Sequence, residues 1–132
     1  GFAVANRVNS NALKAVKSPY NVNTVSQKIG AIISNNKEFL QNRRGAIVSL
    51  RENLYNGLKK IENAYSHRLQ IVSGCSNFVF VKTDYSKDIF DFLLSKGVAV
   101  RLMNNYLRIT AGTEDENKVV LELLNEFLAE RD

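Results

Sequence analysis

The spacing of apolar side chains changes character near residue 66. Between residues 36 and 65, Leu40, Ile47, Leu54 and Ile61 recur every seven positions, and Leu50, Leu58 and Tyr65 fill the same face. This pattern predicts one helix of about thirty residues, which at 1.5 Å per residue would reach roughly 45 Å. That is longer than a compact domain of this size requires, and a helix of such length usually connects two bodies of structure. Gly45 and Gly57 are candidate kink points. A homodimeric coiled coil is the alternative, although only about four heptads fit and charges at the flanking positions are not systematic.

Upstream, the pattern is shorter and more broken. Gly1-Phe2-Ala3-Val4-Ala5-Asn6 reads as a short buried strand. Residues 7–17 read as a helix with Val8, Leu13 and Val16 inward, stopped by Ser18-Pro19 because a residue before proline is pushed out of helical geometry. Tyr20-Asn21-Val22-Asn23 is a polar turn whose Asn23 can cap the next helix, residues 24–34, with Val25, Ile29, Ile32 and Ile33 at helical spacing. The chain starts in mid-strand, with neither an initiator Met nor a secretory signal. It is therefore expected to be a piece of something larger.

After Ser66 the runs alternate. Residues 68–72 and 78–82 read as strands around a Ser73-Gly74 turn. Residues 86–95 read as an amphipathic helix (Ile89, Phe90, Phe92, Leu93, Leu94) closed by Gly97 in a C-terminal cap. Residues 98–102 and 106–110 read as two more strands joined across Met103-Asn104-Asn105. A last helix follows Thr113, with Glu114, Asp115 and Glu116 in its first turn, where the helix dipole favours acids. It runs to about Glu130 with Val119, Val120, Leu123, Leu124, Phe127 and Leu128 inward. The expected fold is α/β passing to α+β: a long helix, then a small sheet of about four strands covered by helices.

Composition narrows the classes without naming one. The 132 residues carry 18 basic and 13 acidic side chains, a net charge of +5, with 45% hydrophobic and 23% charged residues. That is ordinary for a folded domain and argues against disorder. No apolar run approaches the roughly 20 residues of a spanning helix. One cysteine, Cys75, excludes a disulfide scaffold, and with a single His67 it makes a cysteine/histidine zinc site untenable. There is no glycine-rich phosphate loop. Basic charge is dispersed apart from Arg43-Arg44, with no aromatic-basic interleaving, so no nucleic acid partner is expected. His67 reads as a cap or surface residue and Cys75 as an inert turn residue.

Two arginines stand apart. Arg101 and Arg108 interrupt otherwise apolar strands that the short Met-Asn-Asn turn brings side by side. A guanidinium held there offers a rigid fork matching a carboxylate or phosphate in two-point contact. The plainer alternative is that one or both simply sit on the solvent face of the sheet.

Several phrases, in order and over essentially the whole chain, resemble the carboxyl-terminal part of histidinol-phosphate aminotransferases, of the fold type I pyridoxal-phosphate enzymes. They are the opening strand, Ser18-Pro19-Tyr20-Asn21-Val22-Asn23 with Gln27, Asn77-Phe78-Val79-Phe80-Val81, and Gly97-Val98-Ala99-Val100-Arg101. The most specific is Leu107-Arg108-Ile109-Thr110-Ala111-Gly112-Thr113, followed by Glu116-Asn117. The resemblance implies the end of a large domain and a linker (1–35), an interdomain helix (36–66) and the small C-terminal domain (67–132). It implies that Arg108 binds the anionic end of the substrate, with Arg101 helping to hold a phosphate. The parent enzyme would be cytoplasmic and homodimeric, without membrane or nucleic acid partners. It would exchange an amino group between L-histidinol phosphate and 2-oxoglutarate or glutamate on pyridoxal phosphate.

The family's Schiff-base lysine lies upstream of the first strand. Ser86-Lys87 and Ser95-Lys96 stand outside the family phrase, so no bound cofactor, no catalytic residue and no activity of its own are expected of this chain. Tyr20, Asn21 and Asn23 are left unassigned. A related threonine-phosphate decarboxylase is the enzymatic alternative. A non-catalytic binding or assembly module with the small-domain fold is the other.

Overall fold

The computed structural model describes residues 4–18 and 22–131. The chain divides into two compact units, Gly1–Gln41 and Asn42–Asp132. In the first, α1 (Arg7–Val16) and α2 (Thr24–Asn35) precede the start of α3 (Lys37–Ala64), which continues into the second. Asn6 and Asn23 cap the first two helices, their side-chain oxygens accepting from the Asn9 and Ser26 amides at 2.9 and 2.8 Å. The expected opening strand falls partly on residues 1–3, outside the described residues, and residues 4–6 form no strand. The Tyr20-Asn21 part of the turn also lies outside them.

The inward faces expected of α1 and α2 are corrected by the structure. Neither helix buries a residue; Val8 is 76% exposed, Val16 82% and Ile32 70%, and Leu13, Val25, Ile29 and Ile33 are also open. Helical spacing reports that a face is apolar, not that a neighbour covers it. The same limit applies along α3, where Leu40 and Ile47 of the heptad stripe are exposed while Leu54, Leu58 and Ile61 are buried.

In the second unit the order is β1 (Gln70–Val72), β2 (Phe78–Lys82), α4 (Ser86–Ser95), β3 (Arg101–Met103), β4 (Tyr106–Thr110) and α5 (Glu114–Ala129). The four strands form one antiparallel sheet in the order β1-β2-β4-β3. Alternation along the two central strands sends Val79, Val81, Leu107 and Ile109 to one face, where they join Leu54, Leu58, Ile89, Leu93, Leu124 and Leu128 in the core. Phe78, Phe80, Tyr106 and Arg108 point to the other face and are half-buried.

Several details differ from the sequence reading. Gly57 is a close-approach position on an unbroken α3, since a Cβ there would lie 2.4 Å from Cδ1 of Leu121 on α5. The strand expected over residues 98–102 forms only at Arg101–Met103. Its first part is drawn into the end of α4: with Gly97 at φ +82°, the Gly97 amide donates to Leu94 O at 3.0 Å and the Val98 amide to Leu93 O at 2.8 Å. That pair of bonds is a Schellman cap, and it takes up the Val98 amide. Arg68 and Leu69 are not part of β1; the Arg68 guanidinium instead donates to the carbonyls of Leu128 and Arg131 at the end of α5. Leu94 and Val119, expected inward, are exposed.

Replacing Leu124, fully buried, with alanine should cost about 2–5 kcal/mol of unfolding free energy. Val16→Ala, on the open face of α1, should change it by less than about 0.5 kcal/mol. Urea unfolding followed by far-ultraviolet circular dichroism distinguishes the two.

Candidate functional site

The site is built on the hairpin of β3 and β4. Its two-residue loop, Asn104-Asn105, is possible because Asn104 takes a left-handed conformation at φ 53°, which Asn tolerates better than most residues. The loop is held from beneath: the Ser86 hydroxyl donates to Asn104 O at 2.9 Å and the Thr83 amide to Asn105 O at 2.9 Å. This hairpin sets Arg101 directly opposite Arg108. Cross-strand partners share a face with Cβ atoms about 5 Å apart, so two cations stand side by side on the surface away from the core. Like charges so placed repel, and an anion bound between them would relieve it.

Arg108 is the more enclosed of the two. Its guanidinium carbon lies 5.1 Å from the ring centroid of Phe78, and its Nε is buried with no hydrogen-bond partner. Phe80 is its direct partner across β2. Arg101 is exposed. Both arginines line a recess of about 220 Å³ where the chain from Val98 to Val100 diverges from Ile109 and Thr110. A larger recess of about 500 Å³ continues from it past Gly112 to the first turn of α5. The structure thus brings together the two arginines named from sequence, both on the sheet face away from the core.

The turn from β4 into α5 fixes the far end of the arginine strand. Thr113 and Glu116 form a reciprocal capping box: the Glu116 amide donates to Thr113 Oγ1 at 3.3 Å and the Thr113 amide to Glu116 Oε2 at 2.7 Å. These bonds, first from the Thr113 amide and then from its hydroxyl, hold the Glu116 carboxyl below its ordinary value of 4.5. Asn117, buried, accepts from the Gly112 amide at 2.9 Å and donates to Leu50 O of α3 at 3.1 Å.

Asn117 and Arg51 are buried polar residues that sequence reasoning missed. Arg51 stacks on Tyr55 and donates to Glu52 and to Gly74 O, tying the β1–β2 loop to α3. A signal existed: Arg51 stands seven residues before Leu58, on the apolar stripe. Elsewhere, Glu62 accepts from the Ile71 amide at 2.9 Å; burial pushes its carboxyl up, but Lys59 and that amide more than offset it, leaving it lowered.

The other sequence candidates have local roles. His67 is exposed and accepts from Arg68 Nε at 3.1 Å. Cys75 is an exposed free thiol. Lys87 pairs with Asp91 and Lys96 with Glu126 on helix surfaces, while Ser95 donates to Phe92 O. No described lysine is buried, and none lines the recess of Arg101 and Arg108. A pyridoxal phosphate site needs a lysine amine aimed at the cofactor aldehyde and a cradle for its phosphate. The described residues do not fit that group. Among the described residues no cluster of His, Cys, Asp or Glu could hold a metal ion, and no helix is long and apolar enough to cross a membrane.

Glu116→Gln offers a check on the cap. A lowered carboxyl contributes stability that is present above the ordinary glutamate value and lost as pH falls through the lowered one. The variant should therefore be less stable than the parent chain at pH 7, with the gap closing below about pH 4. Thermal melts across that range measure it.

Comparison with known proteins bears on this arrangement. Residues 1–124 match the family described as aminotransferase class I and II. The chain is 33% identical over 130 residues to histidinol-phosphate aminotransferase of Ruminiclostridium cellulolyticum, covering 94% of this chain and 35% of that protein. It is 37% identical over 133 residues to histidinol-phosphate aminotransferase 1 of Carboxydothermus hydrogenoformans, covering 97% and 36%. It thus spans about a third of the length of these relatives.

Among solved structures, the histidinol-phosphate aminotransferase of Clostridium acetobutylicum superposes with a TM-score of 0.78 at 19% identity, over 95% of this chain and 39% of that one. A decarboxylase of Sulfurospirillum multivorans does so with a TM-score of 0.72 at 20% identity, over 92% and 36%. The small four-stranded antiparallel sheet and its helices are an aminotransferase fold in part, and the match over residues 1–124 supplies the lineage: the chain belongs to the class I and II aminotransferase family.

Proposed function

We propose that this chain is the carboxyl-terminal part of a pyridoxal-phosphate-dependent histidinol-phosphate aminotransferase and supplies its substrate-anion site. The parent enzyme would move an amino group between L-histidinol phosphate and 2-oxoglutarate, as a homodimer. Residues 1–35 would end its large domain, 36–66 would connect, and 67–132 would form the small domain. Arg108 would take the phosphate or carboxylate in a two-point contact, with Arg101 adding a second positive charge. The observation that carries this reading is the pair itself: two guanidiniums directly opposed on one face, beside a recess, with the inner one partly desolvated and its Nε unpaired. Cofactor chemistry belongs to the rest of such an enzyme, and this chain by itself would bind without transaminating.

A decarboxylase acting on a phosphorylated amino acid such as threonine phosphate is the second reading. Likeness to the solved Sulfurospirillum multivorans decarboxylase favours keeping it, because the fold is common to both activities. Assaying the full-length protein with L-histidinol phosphate and with threonine phosphate separates them.

In the full-length enzyme, Arg108→Ala should raise the KM for the phosphorylated substrate by about tenfold to a hundredfold, the loss of a charge-assisted contact. Arg108→Lys should recover little of it, since an ammonium is a point charge without the planar fork. Unchanged kinetics in both would exclude the assignment. For the chain alone, borohydride reduction with pyridoxal phosphate should leave no stoichiometric adduct by intact mass. A saturable adduct at one lysine would show a cofactor site in these residues and overturn the division of labour.

A further inference from the structure

We propose that Phe78 is a positioning residue for Arg108, setting the plane in which its guanidinium meets an anion. The inference deepens the anion-site reading and rests on it. An arginine side chain has several freely rotating bonds, and two-point recognition of a phosphate or carboxylate works only when the guanidinium plane is held in one orientation. Hydrogen bonds commonly do this. Among the described residues none holds Arg108, and its buried Nε is bonded to nothing. What it does have is the face of Phe78, 5.1 Å from the guanidinium carbon.

The ring is itself braced. Phe78 meets Phe80 edge-on, with centroids 5.1 Å apart and planes at 71°, and Phe80 meets Tyr106 in the same manner at 6.1 Å and 78°. Register places Phe80 opposite Arg108 and Phe78 opposite Thr110, so the Phe78 ring reaches the arginine diagonally across the β2–β4 ladder. Edge-to-face contacts resist rotation of each ring, and a cation over a ring face is attracted to it. Arg101 stands on the opposite flank of β4, on β3, so its repulsion presses the Arg108 head towards β2 and the ring. The aromatic row therefore acts as a shelf for the fork, while Arg108 still lines the recess it shares with Arg101. Phe78 touches no reacting group; it acts through the arginine.

The experiment is a double-mutant cycle in the full-length enzyme: Phe78→Leu and Phe78→Tyr, each with Arg108 intact and with Arg108→Ala. With the arginine present, Phe78→Leu should raise the KM for the phosphorylated substrate by about five- to tenfold and leave kcat within about twofold, the mark of lost binding geometry. Phe78→Tyr keeps the ring face and should stay within about twofold of the parent. With Arg108 removed, Phe78→Leu should shift KM by less than about twofold. An equal effect with and without the arginine, or none with it, would overturn the proposal.

Nuclear magnetic resonance of the 132-residue chain decides separately. The Arg108 Nε–Hε signal should lie in the shielding cone of the ring and move downfield in Phe78→Leu. If Arg108→Ala leaves KM untouched, the anion-site reading fails. A shift of that signal would then sustain the shelf alone, and a signal that stays in place would remove the shelf as well.

Discussion

One buried amide joins the three elements on which the arginine strand depends. Asn117 sits in the first turns of α5, accepts from the Gly112 amide just beyond β4, and donates to a carbonyl of α3 at Leu50. A buried polar group without partners costs about 1–3 kcal/mol, so the side chain is stable there only while strand, helix and long helix keep their relative places. The capping box at Thr113 and Glu116 closes the same turn from outside. Since β4 leaves the sheet through this turn, its register against β2 and β3 is fixed at one end here and at the other by the Asn104-Asn105 hairpin. Arg108 lies between the two.

The sheet is two surfaces with opposite chemistry. Its inner face is aliphatic and fully covered, through Val79, Val81, Leu107 and Ile109. Its outer face carries rings and guanidiniums, half-open to solvent. Strict alternation makes these two sets inseparable: a one-residue slip of β4 would put Arg108 into the core and both Leu107 and Ile109 outside. The hydrophobic core thereby holds the arginine in place without touching its head group. The unfavourable juxtaposition of Arg101 and Arg108 persists because the register that creates it is the one that buries the leucine and isoleucine.

What was legible in the sequence follows from how local each signal is. The limits of α3, α4 and α5 come from periodicity and caps within one segment, and the structure places them within a residue or two of expectation. That Arg101 and Arg108 lie on neighbouring strands was legible from the short turn; that they are direct partners was not, because Met103 joins β3 and leaves only Asn104-Asn105 as the loop. Less was readable where the deciding contact is distant. The first part of the expected third strand is lost to the cap of α4, because a Val98 amide satisfied by Leu93 O is not free to pair with β4. Gly57 resembles a kink in sequence, and only the approach of Leu121 shows it to be a packing position. Apolar faces on α1 and α2 are visible as patterns, whereas their cover is a property of other surfaces. Asn117 was visible as a residue of a familiar phrase, but its bond to Leu50 spans 67 positions, which no local pattern encodes.

On the proposed reading, the paired arginines also bear on which anion is preferred. A single guanidinium matches a carboxylate in charge and shape. Two guanidiniums facing each other across a hairpin carry twice the charge, and a carboxylate between them leaves one positive charge uncompensated. A phosphate monoester, with a charge of about −1.5 to −2 and three acceptor oxygens, can satisfy both forks at once. The more exposed Arg101 gains less from either ligand than the partly desolvated Arg108, because water screens it. The geometry therefore suits a site in which Arg108 binds every anionic substrate, and Arg101 makes the difference between a phosphate and a carboxylate.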